Sequence, residues 1–292
     1  GRLTGIAFDR STGNARGAMG IDTAQFRDDG TLAIGIGNFA NEASALYMAR
    51  PGKKQFIDAA MYTGFGPPTR QGLTFGLFFF DVDLDGRLDV LGSNGHLEEE
   101  ISKTQKTQRY AQPPQLFWNA GREAKSELVL VPESNTGPAF YQPIVGRGAA
   151  FGDFDEDGDQ DIAISVSDGS PAIFRNDQST ENHWLKVQLE GTECNRDAIG
   201  AVIQVAVGDR VLTRGRMPTR SYLSQCETGV TFGLGATTEV DTVTVRWPGG
   251  ASESFAVEKV DQVVQLRQGE GAPDRSSAGD ENVDVNSSGE SS

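Results

Sequence analysis

At 292 residues the chain can bury a full core and reads as two domains, and its net charge of −15 excludes partners that demand Lys/Arg patches, nucleic acid and anionic membrane surfaces among them. No apolar run approaches the roughly 18–20 residues of a membrane span. The 36 glycines, with few helix-periodic stretches, favour an all-β class with frequent turns.

Residue 1 is Gly and no charged-then-apolar leader follows it, so the sequence reads as a piece that begins inside a longer chain. Residues 1–18 show no clear period. From Ile21 a repeat begins, and residues 19–180 hold three copies of it. The first loop, Gln25-Phe26-Arg27-Asp28-Asp29-Gly30-Thr31-Leu32-Ala33, keeps an acidic residue at position 5 but has Gln25, Arg27 and Ala33 where the other copies have Asp. It is expected to bind no metal.

The second and third loops make a stronger demand. Asp81-Val82-Asp83-Leu84-Asp85-Gly86-Arg87-Leu88-Asp89 and Asp153-Phe154-Asp155-Glu156-Asp157-Gly158-Asp159-Gln160-Asp161 share carboxylates at positions 1, 3, 5 and 9. Four acids in one tight turn repel unless a cation sits between them, and the D-x-D-x-D-G start suits Ca²⁺, a hard cation that takes oxygen ligands. The spacing assigns side-chain oxygens to Asp81, Asp83, Asp85 and Asp89, and to Asp153, Asp155, Asp157 and Asp161. Arg87 and Asp159, at position 7, would donate backbone carbonyls, and Gly86 and Gly158 would supply positive φ. Neither loop is an EF-hand. Position 12 of the third is Ile164 rather than Glu, and the flanks, Ala149-Ala150-Phe151 and 162–166, alternate as strands, so each loop closes a β-hairpin.

An apolar-aromatic strand follows each loop, at Ala45-Leu46-Tyr47, Gln115-Leu116-Phe117-Trp118-Asn119 and Ala172-Ile173-Phe174-Arg175-Asn176. The distance is 17 residues from Gly30 to Tyr47 and 16 from Gly158 to Phe174, but 31 from Gly86 to Phe117. Residues 95–112 are therefore an insertion, either on a binding face or as a solvated helical excursion. Repeats of this kind point to β-propeller blades. Phe151-Gly152-Asp153 and the loop after it resemble the FG-GAP (VCBS-type) repeats of integrin α-subunit propellers and bacterial repeat proteins. Three blades do not close a ring of 4–8. The missing blades lie before Gly1, or the blades pack in another way; the first is favoured.

The pattern changes after Asn182. Residues 184–189, 201–205, 240–247 and 254–257 are β-branched or alternating strands, with Pro248-Gly249-Gly250 as a turn, and make a second all-β unit over residues 181–268 with the character of a sandwich. Asn195-Arg196-Asp197-Ala198-Ile199-Gly200-Ala201, Ser221-Tyr222-Leu223-Ser224-Gln225, Thr231-Phe232-Gly233-Leu234-Gly235 and Val245-Arg246-Trp247-Pro248-Gly249-Gly250 resemble the ASPIC/UnbV domain, which follows FG-GAP repeats in the cartilage acidic protein-like family. The sequence departs from that pattern at Arg216-Met217-Pro218-Thr219-Arg220, where the family is glycine-rich, and at Cys194 and Cys226. These two cysteines either form one disulfide, closing a loop that would add roughly 3–4 kcal/mol, or stay as two buried thiols. Residues 269–292 are rich in Ser, Gly, Asp and Glu and are expected to be disordered.

Catalytic constellations are missing. Only His96 and His183 occur, which rules out a multi-His zinc site, and there is no G-x-S-x-G elbow or P-loop. His96 is expected at a surface rim, Arg196 with Asp197 in a loop pair, and Tyr222 and Trp247 in the sandwich core. The sequence thus predicts partial FG-GAP-type propeller blades followed by a β-sandwich-like ASPIC/UnbV domain, acting outside the cytosol (extracellular, cell-surface or periplasmic) as a calcium-binding interaction or adhesion protein. Its ligand would be a protein or glycan on the loop face. The resemblance to UnbV also implies an alternative, an accessory factor or enzyme in small-molecule biosynthesis.

Overall fold

The computed structural model describes residues 4–6, 8–9 and 13–274. Its strands form five sheets of three to five strands and one two-stranded ribbon. The first sheet is the antiparallel meander β1 (Ala18–Gln25), β2 (Leu32–Asn38), β3 (Ala45–Ala49) and β4 (Phe56–Asp58). The second repeats it as β5 (Thr74–Phe80), β6 (Asp89–Asn94), β7 (Gln115–Asn119) and β8 (Leu128–Leu130). The third has three strands, β9 (Gly146–Gly152), β10 (Asp161–Val166) and β11 (Ala172–Phe174). These are successive propeller blades, and β1, β5 and β9 are their inner strands.

β5 shows why the blades stack. All seven of its residues, Thr-Phe-Gly-Leu-Phe-Phe-Phe, are buried. Side chains alternate across a pleated strand, so Leu77 and Phe79 enter a core with Phe26, Leu46, Val90 and Phe117, while Phe78 and Phe80 enter another with Leu91, Phe151, Ile162 and Ile164. Between inner strands the approach is too close for side chains: a Cβ on Gly20 would lie 2.0 Å from the Phe75 carbonyl oxygen.

The second unit begins with β12 (His183–Glu190), followed by β13 (Val202–Val207), β14 (Arg210–Gly215), β15 (Thr219–Arg220), β16 (Ser224–Gln225), β17 (Val230–Gly235), β18 (Thr242–Arg246), β19 (Ser252–Phe255), β20 (Gln262–Arg267) and β21 (Ala272–Pro273). One sheet runs β17-β12-β20, with β12 and β20 parallel, and the other β14-β13-β18-β19-β21. Leu185, Val187 and Phe232 of the first share a core with Ile203, Val205, Val243 and Val245 of the second, which makes a sandwich. The ribbon β15-β16 leaves the sandwich for the blades. Its tip pairs Ser221 with Ile21, sets Tyr222 edge-on to Phe75 at 5.0 Å and places Cys226 in the core between the second and third blades.

Three expectations change and one open alternative closes. Tyr222 packs on the blades rather than in the sandwich core, whereas Trp247 lies in that core as expected. The sandwich runs past residue 268, because Gly269 and Gly271 donate amides to the Glu253 carboxylate and β21 pairs with β19; the rest of the acidic tail, from 275, lies outside the described residues. Cys194 and Cys226 are not bridged, since one packs against the sandwich core and the other against the blades. The 95–112 insertion is neither a free rim nor simply solvated. It holds one helical turn, Ile101–Thr104, but Gln108 and Gln112 are buried, and Gln112 accepts the Leu73 amide.

Arg220 joins the units. It donates to Asp22 of β1 (2.6 Å) and to the Phe79 carbonyl of β5 (3.0 Å), and stands 5.3 Å over the Phe151 ring of β9. Asp22 is buried and also accepts the Phe79 amide. Arg220→Met would strand that carboxylate, so urea unfolding should show a loss of about 3–5 kcal/mol. Burial raises the Cys226 thiol to about 11. Thiol titration at pH 8 should therefore find Cys226 silent in the native protein and two reactive thiols after denaturation, with no reductant required.

Candidate functional site

The two acidic loops fold alike. In each, the amide after the first Asp donates to the last: Val82 to Asp89 and Phe154 to Asp161, both at 2.8 Å. The other oxygen of that last Asp accepts the backbone amide of an Asn, Asn119 at the end of β7 (2.7 Å) and Asn176 just beyond β11 (2.8 Å). The loop glycine donates back to the first Asp, Gly86 to Asp81 and Gly158 to Asp153. Gly86 and Gly158 have the expected positive φ of 88° and 101°. Position 4 also has positive φ, at Leu84 (59°) and Glu156 (65°), a strain invisible in the residue types.

In the loop of the second blade, carboxylate oxygens of Asp81, Asp83 and Asp89 lie within 4.8 Å of one another. Asp81 Oδ1 and Asp83 Oδ1 are buried without a hydrogen-bond partner. Burial pushes Asp81 up to about 7, with Asp85 and Asp83 adding to the rise and Arg214 opposing it, and burial followed by Asp81 holds Asp89 well above the carboxylate range. Orphaned acceptors among crowded acids fit a hard cation. Asp81, Asp83 and Asp89 would hold it. Asp85 accepts the Arg87 amide at 2.7 Å and pairs with the Arg87 guanidinium, and its carboxylate is not among the three brought together. Asp83 also accepts the Trp118 indole at 2.8 Å.

The sandwich covers this loop. Asn182 donates to the Asp83 carbonyl at 2.7 Å, Arg210 to that of Asp85 at 3.1 Å and Arg214 to that of Gly86 at 3.0 Å. A Cβ on Gly233 would come within 2.4 Å of Asp81 Oδ2. Here Phe-Gly-Leu-Gly in the second unit serves the first unit's loop.

The loop of the third blade brings Asp153, Asp155 and Asp157 together, with Asp155 and Asp157 exposed. Asp161, occupied by two backbone amides, is not among them. Asp159 does not simply present a carbonyl. Its side chain is buried with Oδ1 unpartnered, and burial followed by Asp157 raises it to about 8. A lysine has entered as well. Lys186 of β12 donates to Asp153 at 2.7 Å and pairs with Glu227 at 3.1 Å, all three side chains being largely buried. The loop of the third blade thus carries a built-in cation at one of its carboxylates, which no reading of the loop itself could have found. In the loop at 25–33, Asp29 caps its own turn by accepting the Thr31 amide.

His96 is not at the rim. It is 3 % exposed, accepts the Glu98 amide through Nδ1 at 3.0 Å and meets Phe39 edge-on, and burial lowers its pKa, which keeps it neutral. Arg196 and Asp197 are exposed. Among the described residues no helix is long and apolar enough to cross a membrane.

Comparison with known proteins agrees with this architecture. Residues 191–273 match the family described as ASPIC and UnbV. Over 260 residues, 85 % of this chain, the sequence is 29 % identical to cartilage acidic protein 1 of Mus musculus and 28 % identical to that of Homo sapiens. The Xenopus tropicalis protein is 27 % identical over 259 residues. The chain spans 36 % of the length of these curated relatives.

Lys186→Met should leave Asp153 facing Glu227 without a cation. In chelator, chemical denaturation should show it less stable by about 3–5 kcal/mol than the parent.

Proposed function

We propose that this chain, propeller blades joined to an ASPIC/UnbV domain and similar to cartilage acidic protein 1 along most of its length, is an extracellular calcium-binding interaction protein whose calcium is structural. The observation that carries this reading is the pair of buried, unpartnered oxygens, Asp81 Oδ1 and Asp83 Oδ1, in a cluster of three carboxylates. A bound Ca²⁺ would supply positive charge and oxygen coordination, and nothing in the arrangement demands more of it. Asp81, Asp83 and Asp89 hold the first ion. Asp153, Asp155 and Asp157 hold a second and weaker one, since Lys186 already neutralises part of that cluster.

The extracellular assignment draws on the relatives' name, cartilage acidic protein, and on the loop type, since extracellular modules use sites with dissociation constants of about 10⁻⁴–10⁻³ M. The partner is a protein or glycan. Trp118, Phe154 and Ile173, exposed beside the loops of the second and third blades, are the apolar contacts available to it.

The test is a thermal melt in Ca²⁺ against chelator, with Asp83→Asn and Asp157→Ala. At about 100 times its dissociation constant a native-state ligand adds about 2.7 kcal/mol, so the parent should melt several degrees higher with Ca²⁺. Asp83→Asn should remove most of that rise and Asp157→Ala a smaller share. Identical melts in Ca²⁺ and chelator for the parent would remove the calcium reading.

A further inference from the structure

Between the blades and the sandwich lies a cavity of about 370 Å³ that the calcium reading does not use. Its walls are mainly apolar, with Phe79, Leu88 and Phe151 from the blades and Ala201, Val202 and Val230 from the sandwich. Ile199 (48 % exposed) and Met217 (40 %) stand with Gly215 where it opens to solvent. Three arginines line it, and they are not equivalent. Arg220 is satisfied by Asp22. Arg214 donates to the Thr213 and Gly86 carbonyls but keeps a buried Nε without a partner. Arg216 is 4 % exposed, its Nε is also buried and unpartnered, and among the described residues no ion pair within 4 Å serves it. Burial lowers the pKa of both Arg214 and Arg216, with Asp81 acting back on the first and Asp197 on the second. A guanidinium cannot escape its desolvation by losing a proton at neutral pH, so it requires an acceptor.

The acids lining the cavity form no ion pair with Arg214 or Arg216. Glu227 is paired with Lys186 and accepts from Gln160, and Asp81, though its Oδ1 is unpartnered, acts on Arg214 only through space. Arg216 and Arg214 belong to the stretch in which this sequence departs from the family's pattern or immediately precedes it.

We propose that this cavity is a binding site for a small ligand with an apolar body and a single carboxylate, the carboxylate held by Arg216 with Arg214 beside it. The planar fork of arginine matches a carboxylate in two parallel hydrogen bonds. A phosphate dianion suits the site less, because Asp81 and Glu227 also face the cavity and only one guanidinium is free of compensation. The volume falls in the range of small-molecule pockets, and interfaces between units are where such pockets gather.

The probe is phenylacetate, titrated into the whole chain in calcium-containing buffer by ligand-observed NMR, with 2-phenylethanol as its uncharged counterpart. Phenylacetate should saturate one site, and the alcohol should bind at least about tenfold more weakly. Arg216→Gln should weaken phenylacetate to the level of the alcohol. Gly215→Trp provides a second variant independent of the buried charge: a Cβ there meets nothing within 4 Å, so the protein should melt normally while the opening is obstructed and binding falls. Equal affinity for acid and alcohol, no saturable phenylacetate binding to the parent, or binding that survives either variant would overturn the proposal. If Arg216→Gln fails to fold, Gly215→Trp decides.

Discussion

The ion pair between Arg220 and Asp22 is the contact on which the arrangement of the two units depends. It sits where β1, β5 and β9 converge, and Arg220 reaches a group on each. Burying such a pair carries a desolvation cost that the attraction offsets only when the remaining donors and acceptors are also matched. Here they are: Asp22 accepts the Thr23 and Phe79 amides, and Arg220 donates to a carbonyl besides its carboxylate. The consequence is geometric, since the β15-β16 ribbon can seat only where all three inner strands stand in register. Blades and sandwich therefore specify each other's positions.

That docking makes two nearly identical loops different. Both close through the same backbone-to-carboxylate bonds, yet the sandwich lays carbonyl-seeking arginines over one and a lysine into the other. Crowded carboxylates need a compensating charge, and the fold answers in two ways: an internal ammonium at Asp153, and at Asp81 and Asp83 oxygens that nothing in the chain satisfies. The loops share a motif without sharing an electrostatic environment.

The same interface explains the cavity. The sandwich touches the blades through the ribbon and through side chains of β12, β14 and β17, and between these contacts apolar surfaces of the two units line a common space. Arginines that elsewhere on a strand would point to water are enclosed there. Arg214 turns to the Gly86 carbonyl and Arg216 finds no such group.

Much was written in the residues themselves. Alternation and glycine placement marked the β class, two acidic nonapeptides marked the hairpins, and four separated motifs marked the second unit, because pleat period, turn conformation and charge crowding are local properties. What the chain order could not show was contact between residues far apart in it. Lys186 lies 33 residues from Asp153 and Arg220 lies 198 from Asp22, and neither partner carries a local signal of the other. For the same reason His96, Asp85, Asp161 and the two cysteines had roles open to several readings until neighbours decided them: a carboxylate becomes a ligand, a cap or half of an ion pair according to which donor reaches it first, and only the packed structure determines that.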